Sequence, residues 1–240
     1  MSVSIPKGFT APNCETCPVR HKDIFSNLEK QYLSEISERK NCNLYKKGSI
    51  IFYENNQPLG LYAIFNGKVK VFKTSESGKE QILRLVREGD VLGYRSLISG
   101  EPYEVSAMAI EDTRVCFIPK GLFLSTLQQS GNLSQKLIEM LSQDLKLAED
   151  RITQMAQKTV KERVAETILM LKGYYGIEED NQTIKVSLSR EDLANLVGTA
   201  TETLIRSLSE FKSHKVIDIQ GKKIIILNNK LLEEIANNFD

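Results

Sequence analysis

Between residues 42 and 118 the chain is a succession of short apolar or alternating runs: SIIFY, GLYAIF, KVKVFKT, EQILRLV, DVLGY, YEVSAMAI and TRVCFI. Turn residues separate them, among them Lys47-Gly48, Asn55 to Pro58, Asn66-Gly67, Ser77-Gly78, Gly89-Asp90 and Ser99 to Pro102. Alternation puts successive side chains on opposite faces of a strand. Asn-Gly between two such runs fits a tight hairpin, because both central positions need a positive φ. Many short strands closed by turns predict an antiparallel sandwich or jelly roll.

From about residue 119 the period becomes helical. Leu141, Leu145, Ala148, Ile152 and Met155 recur at alternating spacings of four and three. That is the a/d seam of a helix that buries itself best against another helix, and a symmetric dimer supplies one most simply. TVKERVAETILMLKGYYG predicts a further helix ending at Gly173 or Gly176, and DIFSNLEKQYLSEISERK predicts one before the strands, with Ser26 as its cap. The expected class is α+β, in three parts: a β-roll domain with its N-terminal helix over 1–131, a long dimer helix over 132–158, and a DNA-binding domain over 159–240.

The last part rests on LSREDLANLVGTATETLIRSLSEFKSHKVIDIQGKKIIIL. Ser189-x-x-Asp192 is a capping pattern for a first helix, and Leu193, Leu196 and Val197 give it an apolar face. Gly198 permits a sharp turn. Thr199-x-x-Glu202 is a second capping pattern, opening a helix whose Leu204, Leu208 and Phe211 point to a core. Two β-rich arms around Gln220-Gly221-Lys222 follow. A helix, a glycine turn, a helix and a hairpin make a winged helix-turn-helix. Its outer face carries Thr201, Glu202, Ile205 and Arg206. A carboxylate accepts from cytosine N4, and a guanidinium fork fits guanine O6 and N7. Ser189, Thr199, Lys222 and Lys223 are the candidate phosphate contacts. Glu202 and Arg206 also suit an i,i+4 surface ion pair; the complete unit favours the DNA reading.

Net charge is only +1, so no uniformly basic binder is expected and local asymmetry must carry the claim. Arg206, Lys212, Lys215, Lys222, Lys223 and Lys230 outnumber Glu202, Glu210 and Asp218 in that stretch. No run of about 18 apolar residues occurs, the length a bilayer crossing needs. The N-terminus has no apolar signal core, so a cytoplasmic protein without a membrane partner is expected. The two histidines, His21 and His214, have no nucleophile or carboxylate motif around them, and no enzyme is expected. Four cysteines are too few for a disulfide scaffold and suit a reducing compartment, with Cys42 and Cys116 as buried thiols.

LSREDLANLVGTATETLIRSL closely resembles the DNA-binding signature of the CRP/FNR superfamily of bacterial transcription regulators. GLYAIFNGKVKVFK, GDVLGYRSLISG and KERVAETILML are similar to it too, so the likeness runs from about residue 20 to 235. It implies a homodimer with a cyclic-nucleotide-binding-like β-roll, a dimer helix and a winged helix, binding palindromic duplex DNA and working with RNA polymerase. Glu202 and Arg206 fall on the family's base-reading positions. A third, arginine in the cyclic-AMP receptor and valine in the oxygen sensor, is Thr201. A ligand-binding module with no DNA role is the alternative class, and the helix-turn-helix unit opposes it.

The same resemblance places an effector pocket at Gly93, Tyr94, Arg95, Ser96, Val105 and Ser106. Cyclic-AMP binders carry a glutamate for the ribose and an arginine for the cyclic phosphate. Here Tyr94 replaces the first, and Glu104 and Val105 surround the second, so cyclic AMP is not expected. Arg95 lies near enough to substitute for the missing arginine, or is a surface residue. The oxygen-sensing branch has cysteines that match Cys14, Cys17 and Cys116 and hold a [4Fe–4S] cluster; its remaining cysteine falls at Asp23, which breaks the pattern. His21, Asp23 or Cys42 would have to complete the set. Zinc on Cys14, Cys17 and Cys42 with His21 or Cys116, a reversible dithiol, and no cofactor at all are the other readings. The effector is left unassigned.

Overall fold

A computed structural model describes residues 12–22 and 24–237 of the chain. They form two compact units, one comprising residues up to Ser75 with Leu83–Asp144, the other Glu76–Ile82 with Leu145 onward.

The first unit begins with a 3-10 turn, Arg20–Lys22, and helix α1, Lys30–Arg39. α1 starts later than its apolar pattern suggests. Glu29 is the N-cap residue and Ser26 lies in a turn before it. The Glu29 carboxylate instead accepts from Ser130 Oγ at 2.8 Å, far along the chain. The strands are β1 Asn41–Tyr45, β2 Ile50–Phe52, β3 Gly60–Asn66, β4 Val69–Thr74, β5 Glu80–Val86 and β6 Val91–Leu92. A short helix α2, Tyr94–Ser99, precedes β7 Ser106–Ala109 and β8 Thr113–Pro119. They pair as two four-stranded sheets, β1-β8-β3-β6 and β2-β7-β4-β5, the two-sheet roll that the strand pattern implies. Ile51, Ile64, Val69, Val71, Val86 and Val115 fill the space between the sheets.

Helix α3, Lys120–Gln129, leads into the 27-residue α4, Gly131–Gln157. Leu133 and Leu137 of α4 are buried with Ile36, Leu61, Leu97, Ile118 and Phe123 in the second core cluster of the first unit. That packing explains why the division between units falls inside α4, between Asp144 and Leu145. Beyond Leu141, which packs partly on this cluster, the helix has little cover: Leu145 is 62% and Ile152 70% exposed. Ile138, one heptad before Leu145, is 67% exposed and extends the same stripe.

The second unit contains α5 Val160–Tyr175, α6 Arg190–Val197, α7 Thr201–Ser213, the hairpin β9 Ile217–Gln220 with β10 Lys223–Ile226, and α8 Asn229–Asn237. Thr159 and Glu162 form a reciprocal capping box at the start of α5, and Gly176 ends it. Val164, Ile168, Leu193, Leu204, Leu208 and Phe211 are buried here. Among the described residues no helix is long and apolar enough to cross a membrane.

Gly198 ends α6 at φ +76°, and a Cβ there would collide with the Met155 methyl. Gly198→Ala is expected to destabilise the second unit by about 1–2 kcal/mol from backbone strain alone, with the displaced Met155 adding to it. Urea unfolding followed by circular dichroism should show the lower midpoint; an unchanged midpoint would mean that the turn is not strained by a Cβ.

Candidate nucleic-acid interface and sensory cavities

Ser189 caps α6 as its sequence suggests. Its hydroxyl accepts from the Asp192 amide at 2.9 Å and donates to the Asp192 carboxylate at 2.6 Å. Arg190 of the first turn donates to the Gly221 carbonyl at 3.0 Å and ties the hairpin to α6. The other end of α6 meets cations, which suit the negative end of a helix. Arg151 donates to the Leu196 carbonyl, and Arg163 to the Gly198 carbonyl at 3.4 Å.

α7 does not begin as its capping pattern suggests. Ala200, not Thr199, is its N-cap residue, and no side chain caps it. Thr199 belongs to the turn, where its amide donates to the Ala194 carbonyl at 3.1 Å. Leu204, Ser207, Leu208 and Phe211 form the buried side of α7. Glu202, Ile205 and Arg206 are exposed and Thr201 is half-buried. Glu202 and Arg206 form no ion pair with each other among the described residues, so the outer face is not closed by the surface pair that their spacing permits.

The charge surplus is partly neutralised. Lys212 pairs with Asp218 at 2.7 Å, Lys223 with Glu178 at 2.9 Å and Lys230 with Glu234 at 3.8 Å. Arg206, Lys215 and Lys222 stay exposed and without an acidic partner among the described residues. Lys222 stands at the hairpin turn beside Gly221.

In the first unit, Gly93, Tyr94, Arg95, Ser96 and Val105 line one cavity of about 280 Å³, together with Phe52, Val71, Lys73, Leu83, Arg84, Leu92, Tyr103 and Glu104. Ser106 does not line it; its hydroxyl accepts from the Glu54 amide at 3.0 Å. Tyr94 is 1% exposed, and its hydroxyl donates to Asp144 of α4. Arg84 Nη1 donates to the Tyr94 oxygen at 3.0 Å and to the Asp144 carboxylate at 3.3 Å. Burial pushes the Tyr94 hydroxyl above the usual phenol range; Arg84 opposes that and Asp144 adds to it. Burial works against the charge on Arg84, but Tyr94 and Asp144 outweigh it and hold the guanidinium above its ordinary value. Arg84 and Asp144 escaped the sequence reading because each looks like a solvated charge on an amphipathic element. Where the resemblance places the ribose contact stands a tyrosine bound to Asp144, and Glu104 is exposed at the lining, features that do not suit a cyclic nucleotide.

Cys14, Cys17 and Cys116 line a second, small cavity of about 40 Å³ in the same unit, with Arg20 and Lys40. Cys116 lies directly across β1–β8 from Cys42 and is bonded to it. This corrects the expectation of two separate reduced thiols. The antiparallel register, which brings together residues 74 apart in sequence, makes them directly opposed neighbours. Lys40 Nζ donates to Cys14 Sγ at 3.0 Å. Among the described residues no three His, Cys, Asp or Glu side chains are placed to hold a metal ion, and Asp23 lies outside the described residues. With Cys116 bonded to Cys42, the cysteines as arranged do not fit a cluster or zinc.

A two-sheet β-roll, a long helix and a winged helix-turn-helix define a DNA-binding transcription regulator with a sensory domain. Residues 43–130 match the cyclic nucleotide-binding domain family and residues 162–235 the Crp-like helix-turn-helix domain family. The chain is 28% identical over 236 residues to the fumarate and nitrate reduction regulatory protein of Vibrio cholerae, covering 97% of this chain and 93% of that one. With the protein of that name from Escherichia coli K12 it shares 29% identity at the same coverage. The structure of FixK2 from Bradyrhizobium japonicum matches with TM-score 0.75 at 25% identity, covering 84% of this chain and 99% of that one. A CRP/FNR-family regulator from Thermus thermophilus matches with TM-score 0.70 at 28% identity, covering 82% and 99%. The chain belongs to the CRP/FNR superfamily of transcription regulators, and it is not an enzyme. A ligand-binding module without a DNA role is set aside by the match over residues 162–235.

The Cys42–Cys116 bond sets a simple expectation. Native protein treated with N-ethylmaleimide without reductant should gain two adducts by intact mass, at Cys14 and Cys17. All four cysteines should react after denaturation and reduction. Four adducts before reduction would rule the bond out.

Proposed function

We propose that this regulator binds a two-fold symmetric DNA site as a homodimer joined along α4, with α7 in the major groove. The carrying observation is the division of α7 into a buried Leu204–Leu208–Phe211 side and an open side bearing Glu202, Ile205 and Arg206. In this reading Thr201, Glu202, Ile205 and Arg206 meet base edges. Ser189, Thr199 and Lys222 meet phosphates, and Lys223 does so after leaving Glu178. Leu141, Leu145, Ala148, Ile152 and Met155 form the dimer seam, to which Ile138 adds one more position. Dimerisation would set two recognition helices about 34–36 Å apart, one turn of DNA. The β-roll receives the signal in the cytoplasm, and the bound dimer acts on RNA polymerase.

Footprinting on genomic DNA should give a symmetric protected site; uniform nonspecific protection would defeat the reading. Arg206→Ala is expected to relax preference at one base pair per half-site, by about 1–3 kcal/mol. Lys222→Ala should weaken all sequences alike and flatten the salt dependence by about one phosphate contact. Competition binding against a set of single-base variants separates the two behaviours. Ile152→Asp should shift the protein to a monomer in sedimentation and cost DNA affinity through lost dimerisation; a dimer that survives it would place the interface elsewhere.

A further inference from the structure

The cavity beside Tyr94 has features that a cyclic nucleotide does not explain. Phe52 and Tyr103 stack along its wall with centroids 4.1 Å apart and planes at 23°. Tyr103 is 3% exposed. Its hydroxyl lies beside Tyr62 and the Leu59 backbone, whereas Arg84 Nε is buried without a hydrogen-bond partner. A buried donor left unpaired is costly, so Arg84 Nε on the cavity wall points to an occupant that satisfies it. Lys73, Arg84 and Arg95 line the cavity with Glu104, and Asp144 takes part of the Arg84 charge, so three cations stand against two acids and the balance favours an anion. Its volume of about 280 Å³ lies at the lower end of small-molecule sites and suits a small ligand.

We propose that this cavity binds a small aromatic carboxylic acid. The ring lies against the Phe52–Tyr103 wall, and the carboxylate takes Arg84 in competition with Asp144 of α4. The inference rests on the reading of the β-roll as the sensory domain and names the chemical class of its signal. A guanidinium fork recognises a carboxylate through two parallel hydrogen bonds. Here Arg84 gives Asp144 only Nη1, at 3.3 and 3.5 Å, which leaves Nε for a second acid. An incoming carboxylate that draws Arg84 away leaves Asp144 held by Tyr94 alone. Ligand binding is thereby linked to the one acidic side chain that fastens α4 to the cavity, and such linkage acts in both directions.

The test is calorimetric titration of the purified full-length protein with benzoate, benzamide, acetate and cyclic AMP. Benzoate should bind measurably, and the other three at least about tenfold more weakly. Arg84→Gln should abolish benzoate binding. Asp144→Asn, which removes the competitor and keeps the shape, should tighten it several-fold, an effect that a purely structural role for Asp144 would not give. Equal binding of benzoate and benzamide, preferential binding of cyclic AMP, absence of benzoate binding up to about 10 mM, or weaker binding by Asp144→Asn would each overturn the proposal. Footprinting of the same preparation separates this from the DNA reading. A symmetric footprint with no benzoate binding defeats the ligand alone, and benzoate binding without a footprint defeats only the DNA assignment.

Discussion

Leu133 and Leu137 bury one end of α4 in the β-roll, and that anchorage decides how the rest of the helix must behave. Two turns are fixed by packing; the following turns carry apolar side chains with little cover among the described residues. A Leu or Ile left in water forgoes about 1.5–3 kcal/mol of burial. Ile138, Leu145 and Ile152 recur at heptad spacing and are all more than half exposed. The stripe is narrow and flanked by charges such as Lys146, Glu149 and Asp150. That is the pattern of a helix suited to a second helix rather than to a broad apolar surface. A second copy offers the same stripe in the same register, so the proposed homodimer answers the packing deficit without a further partner.

The helix-turn-helix depends on a different constraint. The last carbonyls of α6 have no partners within the helix, and Gly198 reverses the chain at once. Arg151 of α4 and Arg163 of α5 supply the missing donors. Met155, predicted for the dimer seam, also packs against Gly198. The turn that orients α7 therefore takes part of its hydrogen bonding from α4 and α5. A rearrangement of either helix has a direct route to the position of α7, through backbone carbonyls and not through a chain of surface contacts.

The parts legible in sequence are those set by local periodicity. Alternating runs and turn residues point to the β-roll, and the Ser189 cap with the Gly198 reversal points to the helix-turn-helix. The start of α7 is misplaced by sequence because Thr199 and Glu202 have capping-box spacing, but the tight turn after Gly198 uses Thr199 in its own hydrogen bonds. Pairings across long sequence separations are not legible. Cys42 with Cys116 depends on strand register, Glu29 with Ser130 on the meeting of α1 with the start of α4, and Arg84 with Asp144 on the depth at which α4 meets the roll. Lys223 shows the same effect for charge: its count in the basic hairpin is visible, but its partner Glu178 lies 45 residues away.

Tyr94 and Asp144 explain each other. A carboxylate at position 94, as cyclic-AMP binders of this superfamily carry, would face Asp144 as a second negative charge. Arg84 would be the cation that faces both of them. Two acids close together in a largely buried site repel, and the pair favours protonation of one of them. A phenol removes the conflict because burial keeps its proton on and makes it a donor to Asp144. The exchange of glutamate for tyrosine and the presence of an acid on α4 are thus one structural solution. It gives up the ribose-binding group and gains a fastening between the sensory cavity and the long helix. A ligand that competes for Arg84, as proposed for the aromatic acid, would act on that fastening directly.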